Sequence, residues 1–411
     1  MTTGRGPLHV LILSPLFPPN YVGGAEIAAC ELAKWLVRQG HRVSVVASCA
    51  EGAEEQHGVE EEGGMKVWRL RFHRPYSLAN HHQHSGLTKL IWHLQDQADP
   101  RNLSAVARVL DEVKPDVVNI HGLQGLGHNI PLVLGARDLP VVYTLHDYAV
   151  ACLKSSLHID GKPCESLHLP CALTKIWKWH CLGKIRRLSF YSVSAAVLRE
   201  LDRVLPPMPY RREVIRNPMR FELTKTFRER PDCPHFLFVG RLQDVKGIWM
   251  LLRAARRVAA THPLCLTVVG RGPEEEKLKA EFGSEPWVRF AGFVPSAEVG
   301  SFMTVADVCC LPSLWAEPAS LVASQAMVMG LPIMASNTGG FPELVRDKQS
   351  GFLLPPGDED AWYGEIRSIC ENPGQLQALK EGVRELAAEL DQDLLGAKVV
   401  ELYEWTMAQG G

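Results

Sequence analysis

The 411-residue sequence lacks any run of about 18 apolar residues, so no segment of it reads as membrane-spanning. Met1 to Leu8 lacks the apolar centre of a signal peptide and leads directly into a strand pattern, so the expected location is cytoplasmic. An excess of one charge is also missing. With 44 basic and 46 acidic residues the formal net charge is −2, which offers no bulk attraction to nucleic acid, and none is expected as a partner. A paired-aspartate metal motif at a strand end is missing as well. The nearest matches, Asp358-Glu359-Asp360 and Asp391-Gln392-Asp393, read as carboxylates at helix starts, where the macrodipole favours them. No metal and no resident cofactor is therefore expected. The sequence also has no Gly-x-Gly-x-x-Gly dinucleotide fingerprint after its first strand, and no internal repeat or low-complexity tract.

Cysteine is present, eleven times, but not in a metal-binding pattern. Cys152, Cys164, Cys171 and Cys181 are separated by eleven, six and nine residues, whereas zinc pairs favour about two to four. Cys30, Cys265, Cys309 and Cys310 lie in apolar helix or strand patterns, and all of these read as reduced thiols.

Apolar residues make up 46 % of the chain, enough to bury two cores, and the length suits two domains. Strand-length apolar runs alternate with amphipathic helix-length runs, the pattern of an α/β fold built on parallel sheets. The first series places strands at Leu8–Ser14, Arg42–Ala47, Val67–Phe72, Asp116–His121, Val141–Leu145 and Phe190–Val193, with helices over Gly24–Arg38 and Ile130–Arg137. The rhythm then breaks. Leu205–Tyr210 holds three prolines, and residues 218–234 read as a linker between a first domain, 1–217, and a second, 235–390. The second series has strands at His235–Gly240, Leu264–Val269, Val288–Phe290, Val308–Leu311 and Pro332–Ala335. Its helices lie near Gly247–Ala260, Pro273–Phe282, Ala319–Met329 and Asp358–Cys370. Within 391–411, Leu395, Val399, Leu402, Tyr403 and Met407 fall on one helical face.

Open parallel sheets bind ligands at the carboxyl ends of their strands, and three segments stand there. Pro18 to Glu26 follows the first strand, and its Gly23-Gly24 pair opens a helix whose free N–H groups suit an anion; a plain Gly-Gly turn reads equally well. Phe238 to Gly247 brings Arg241 and Lys246 to a strand end, where two cations can neutralise a diphosphate leaving group. Glu317 to Pro332 carries Glu317 and Gln325, and their spacing of eight places both near one face of a helix. Farther back, Lys175 to Arg187 interleaves basic residues with Trp177 and Trp179. That pattern suits peripheral contact with the inner membrane surface or grip on an anionic acceptor, and equally a helix packed on its own domain.

Taken in order, Gly23-Gly24-Ala25-Glu26, His121, Asn217, Gly240-Arg241, Lys246-Gly247, Val269 to Pro273, Glu317 to Gln325 and Gly339 to Glu343 resemble glycosyltransferase family 4 over nearly the whole chain. The resemblance implies two Rossmann-like domains facing across a cleft, the GT-B arrangement, with the 391–411 helix packed back on the first. It implies a retaining transferase that moves a sugar from a nucleotide-diphosphate donor, most simply a UDP-sugar used as co-substrate. The acceptor stays open among saccharide, lipid and small natural product. By the same resemblance, Arg241 and Lys246 hold the diphosphate, Glu317 holds donor-sugar hydroxyls and His121 lies beside the transferring sugar. Gly23, Gly24, Gly240, Arg271, Ser320, Leu321 and Gln325 line the donor. Two positions depart from the family pattern. Gln325 stands where a second Glu is usual, and Pro318-Ala319-Ser320 replaces Gly-Phe-Gly. They support a rival reading, a nucleotide-binding member without turnover; the architecture itself leaves a sugar-nucleotide epimerase or phosphorylase as the other alternative.

Overall fold

The computed structural model describes residues 6–21, 23–49, 58–72, 74–76, 78, 84, 86–159, 162–221 and 232–409. Two compact units emerge: Met1–Leu157 with Cys164–Met219 and Gln392–Gly411, and His158–Pro163 with Arg220–Asp391. Most of the expected 218–234 linker lies outside the described residues.

In the first unit the order is β1 (His9–Leu13), α1 (Gly24–Arg38), β2 (Arg42–Ser48), β3 (Gly58–Glu62), β4 (Met65–Leu70), α2 (Gly86–Ala98), α3 (Pro100–Val113), β5 (Val117–Ile120), α4 (Ile130–Ala136) and β6 (Val141–Leu145). After a short pair that belongs to the second unit, β7 (His158–Ile159) and β8 (Lys162–Pro163), the first unit continues with α5 (Leu169–Leu182), β9 (Leu188–Ser192), α6 (Ala195–Val204) and β10 (Arg211–Val214). The second unit runs β11 (His235–Val239), α7 (Ile248–Ala259), β12 (Cys265–Val269), α8 (Glu275–Phe282), β13 (Val288–Gly292), α9 (Ser296–Met303), β14 (Val308–Leu311), α10 (Leu321–Val328), β15 (Ile333–Ser336), β16 (Gly351–Leu354), α11 (Glu359–Glu371) and α12 (Gln375–Ala388). The final helix, α13 (Gln392–Ala408), belongs to the first unit.

The eight-stranded sheet has the order β10-β9-β6-β5-β1-β2-β4-β3, parallel except for the β3–β4 pair. The six-stranded sheet is β13-β12-β11-β14-β15-β16, parallel throughout. In each sheet the unit's first strand lies inside, and the chain builds outward from it first on one side and then on the other. The reversal falls between β1 and β5 in the first unit and between β11 and β14 in the second. Such a switch point splays consecutive loops apart and leaves a crevice at the strand ends.

The core of the first unit joins Val10 and Ile12 of β1, Trp35 of α1, Val43 and Val45 of β2, and Leu395, Val399 and Tyr403 of α13. Each such side chain stabilises by about 1.5–3 kcal/mol relative to exposure. Trp35 also donates its indole N–H to Asp393 Oδ1 at 2.7 Å, and Thr406 Oγ1 bonds Ser189 Oγ at 2.8 Å, so α13 is tied at both ends. All eleven cysteines are free thiols. Cys30, Cys309 and Cys310 are buried, while Cys265 is half-buried with its sulfur 3.3 Å from that of Cys233.

Glu317 does not share a helical face with Gln325, because α10 begins only at Leu321 and Glu317 stands in the loop before its cap. Proline at 318 cannot supply a helix-interior N–H, and Ser320 sets the start by accepting the N–H of Ala323 at 3.2 Å. Trp177 and Trp179 turn inward: Trp177 donates to Gln97 O at 2.7 Å, and Trp179 lies against Phe190 and Tyr210. The outward face of α5 is instead Leu169, Leu173 and Ile176. Among the described residues no helix is long and apolar enough to cross a membrane.

Candidate active site

Each unit carries one constellation at its switch point. In the second, Gly240 and Arg241 leave β11, and a 3-10 turn, Asp244–Lys246, leads to Gly247. Gly247 has φ +68°, and a Cβ there would meet the Pro312 carbonyl oxygen at 1.9 Å, so only glycine lets this turn press against the loop after β14. Leu314 N–H donates to Val245 O at 2.8 Å and locks the two loops together. That contact brings Lys246 Nζ to 2.7 Å from Glu317 Oε1, which also accepts from Ser313 Oγ. Glu317 is buried, and its backbone carbonyl is held by the N–H of Gly340 at 2.8 Å. Among the described residues its second oxygen, Oε2, has no partner. A buried carboxylate with one oxygen spent on two donors and the other open is built to receive a further donor. The Trp315 ring lies 5.7 Å from Lys246 Nζ, and its indole N–H is buried without an acceptor among the described residues.

Arg241 and Arg271 are exposed at the ends of the adjacent strands β11 and β12, and neither has an ion-pair partner among the described residues. Their loops are joined by Leu242 N–H to Arg271 O at 2.9 Å. Ser320 and Leu321 form the first turn of α10, and Gln325 is buried one turn on, with no hydrogen bond to its side-chain amide among the described residues. The structure thus brings Lys246 and Glu317 into contact and sets Gly240, Arg241 and Arg271 on neighbouring strand ends.

In the first unit, Gly23 is the N-cap of α1, and Gly24 is the helix's first residue. The N–H of Gly23 donates to Glu26 Oε2 at 3.0 Å, so the chain's own carboxylate occupies that donor. His121 follows β5 and is buried, with both ring nitrogens engaged: Nε2 with Asn119 Oδ1 at 3.1 Å and Nδ1 with His146 Nε2 at 2.8 Å. Burial pushes the His121 imidazole well below its usual value and that of His146 down to about 3. Asp147, next in sequence, is pushed by burial up to about 6. His121, His146, Asp147, Gln124 and Glu26 line one cavity of about 80 Å³. The imidazole nitrogen left open here belongs to His146, a residue that sequence reasoning did not assign. Its signal was its place: His146 follows β6 directly, at a strand end beside β5.

The chain resembles known proteins over nearly its whole length. Residues 22–223 match the family described as Glycosyltransferase Family 4, and residues 233–372 match Glycosyl transferases group 1. It is 26 % identical to a glycogen synthase of Mycobacterium tuberculosis, over 96 % of this chain and 94 % of that protein. It is 30 % identical to a phosphatidyl-myo-inositol mannosyltransferase of Mycobacterium leprae, over 43 % of this chain and 47 % of that one. Among solved structures, a sucrose-phosphate synthase of Thermosynechococcus elongatus superposes with a TM-score of 0.74 at 19 % identity, covering 97 % of this chain and 98 % of that one. The HepE protein of Anabaena, solved with UDP, gives 0.67 at 19 % identity, covering 96 % and 99 %. The two sheets with their flanking helices have the GT-B fold, and the chain belongs to glycosyltransferase family 4.

Proposed function

We propose that the chain moves a sugar from a uridine diphosphate donor to a hydroxyl acceptor, with retention at the anomeric carbon and without a resident metal. The observation that carries this reading is the Lys246–Glu317 contact at the β11–β14 switch point. Lys246 and Arg241 neutralise the leaving diphosphate, and the open Oε2 of Glu317 accepts a hydroxyl of the donor sugar. The acceptor oxygen bonds to the anomeric carbon as the sugar–phosphate bond breaks, and the acceptor's proton passes to the departing phosphate oxygen. The UDP-bound HepE neighbour favours uridine; a starch synthase IV from Arabidopsis thaliana, solved with ADP and acarbose, makes adenine the competing base.

The test is a thermal-shift panel of UDP-, ADP- and GDP-sugars, followed by nucleotide release and the anomeric configuration of the product. A UDP-sugar is expected to raise the melting temperature most. Lys246→Ala is expected to cut turnover by about a hundredfold or more while weakening donor binding less, as for loss of one transition-state donor. Equal, negligible nucleotide release by wild type and Arg241→Ala, with binding retained, would leave a binder without turnover. Loss of activity on adding chelator would overturn the metal-free reading.

We also read the cytoplasmic face of a membrane as a contact surface. Leu87, Leu90, Ile91 and Leu94 of α2 and Leu169, Leu173 and Ile176 of α5 are exposed large apolar residues on two helices that pack together. From Leu169 to Arg187 the sequence has basic residues and no acidic one, which suits anionic lipid. Co-sedimentation with phosphatidylcholine vesicles should require added phosphatidylglycerol and be lost in the double variant Leu90→Glu, Leu173→Glu. Recovery in the supernatant with both vesicle types would end this reading.

A further inference from the structure

The hydrogen bonds around His121 settle, for each ring nitrogen in a chain of side chains, whether it carries a proton or a lone pair. The Asn119 amide nitrogen donates to Val142 O at 3.0 Å and to Thr144 Oγ1 at 2.9 Å. A carbonyl can only accept, so the orientation of the Asn119 amide is fixed and Oδ1 is its acceptor. Oδ1 receives the Tyr403 hydroxyl of α13 at 2.6 Å and His121 Nε2 at 3.1 Å. His121 therefore carries its proton on Nε2, and its Nδ1 is a lone pair. That lone pair accepts from His146 Nε2 at 2.8 Å, so His146 is also protonated on Nε2. Burial keeps both rings neutral. His146 Nδ1 is left as a lone pair without a partner among the described residues, on a ring that lines the 80 Å³ cavity.

The charged groups among the described residues that line the cavity are both acidic. Asp147 and Glu26 contribute carboxylates, and no Lys or Arg is among the described residues lining it. Asp147 Oδ1 already accepts the Ala149 N–H at 2.7 Å, and Glu26 Oε2 accepts the Gly23 N–H at 3.0 Å. Among the described residues lining it, Gln124 is the one with a side-chain amide, and its carbonyl accepts from Ser155 Oγ at 3.3 Å. A phosphate entering here would face two carboxylates and a lone pair; Lys178, whose charge reaches Asp147, is buried with its Nζ held by the carbonyls of Ala149 and Cys152 rather than lining the cavity.

We infer that this cavity receives an uncharged, hydroxyl-bearing part of the acceptor, such as a sugar ring free of phosphate, and that His146 orients one hydroxyl by accepting its hydrogen bond at Nδ1. Asn119 and Tyr403 are positioning residues that act through His121. The inference deepens the sugar-transfer reading and rests on it for the word acceptor; the binding and the tautomers can be measured without turnover.

Two measurements on the full chain test it. Proton–nitrogen correlation spectra of protein labelled with ¹⁵N-histidine should show both rings as neutral Nε2–H tautomers from about pH 5 to about pH 8. A ring protonated on Nδ1, or titrating in that range, overturns the inference. Saturation-transfer spectra should detect glucose or mannose binding, with glucose 6-phosphate and mannose 6-phosphate weaker. His146→Ala and His146→Gln should each weaken the neutral sugar roughly three- to tenfold. His146→Asn should restore most of the loss, because its carbonyl reaches the Nδ1 position, whereas Gln keeps only the bond to His121. A purely structural histidine would rank Gln above Asn. That ranking overturns the inference, as does stronger binding of the phosphate esters or no binding of either neutral sugar. Release of UDP from UDP-glucose into water, measured on the same protein, reports the transfer reading separately.

Discussion

Glu317 and Gln325 show how residue chemistry can be strong at one position and weak at the next. Glu317 is a buried carboxylate already satisfied on one oxygen by Lys246 and Ser313, so its remaining oxygen is both aimed and charged. Gln325 offers a neutral oxygen where the family usually has a carboxylate. Charge-assisted hydrogen bonds exceed neutral ones by about 1 kcal/mol, so Gln325→Glu should tighten nucleotide binding by roughly fivefold in titration calorimetry. A large loss would mean the site is built around a neutral group. The buried histidines set a pH dependence of stability. His121, His128 and His146 have folded values below the unfolded imidazole. Their contribution is complete above about pH 6.5 and is lost as pH falls below it, by up to about 1.4 kcal/mol per pH unit for each group. Asp96 and Asp147, both raised to about 6, act in the opposite sense: their contribution falls as pH rises from about 4 to about 6. Three histidines against two carboxylates predict a melting temperature that drops on acidification from pH 6.5, and His146→Gln should flatten the drop. Lys246 and Glu317 were legible in the sequence because both stand just past strands. His146 stands there too, yet its open nitrogen depends on a tautomer fixed by the orientation of the Asn119 amide, which donates to Val142 O and Thr144 Oγ1 and which no local pattern reveals.

Among the elements, α1, β6 and β14 begin and end where their patterns predict, because a strand buried on both faces reads as an unbroken apolar run and α1 stops at Arg38, just before Gly40 with its φ of +86°. Several others were not legible, for the reverse reason. The edge strand β3 reads Gly-Val-Glu-Glu-Glu, with too little apolar surface to mark it. On α2 the apolar stripe Leu87, Leu90, Ile91 and Leu94 points outward, while Trp92 and the carboxyl of Asp96 are buried. Asp96 is held by Arg74 at 3.1 Å and by the Gly125 N–H at 2.8 Å, a polar anchor that hydropathy cannot reveal. The tryptophans of α5 faced inward for a related reason: a ring with one N–H fits a domain surface as well as a lipid one. The seat of α13 is set by close approach. A Cβ on Gly396 would meet the Trp35 ring at 2.5 Å, so Gly396→Ala must displace α13 or the indole. About 1–3 kcal/mol of stability should be lost, read by chemical denaturation, with a shift in tryptophan fluorescence. An unchanged midpoint would mean that α13 adjusts without cost.

As a whole molecule the chain keeps the cores of its two units separate: one around β1, α1 and α13 in the first, and in the second one around β11, α7 and α11 and another around β14, α10 and α12. Calorimetry should therefore resolve two transitions. UDP at about a hundred times its dissociation constant should stabilise the second unit by about 2.7 kcal/mol, because Lys246, Glu317 and Gln325 all belong to it. A single transition that moves as one with UDP would contradict this. The alternation of patterns made both sheets legible. By itself it did not reveal that the first unit is discontinuous, because a helical face alone does not say which core it covers; only the family resemblance implied that 391–411 returns to the first domain. That discontinuity bears on how the protein is made. A ribosome releases β1 to β10 early, yet Leu395, Val399 and Tyr403, which close that core, are polymerised only after the entire second unit. The earlier half must wait with an uncovered apolar trough, so during synthesis it is the half more exposed to aggregation.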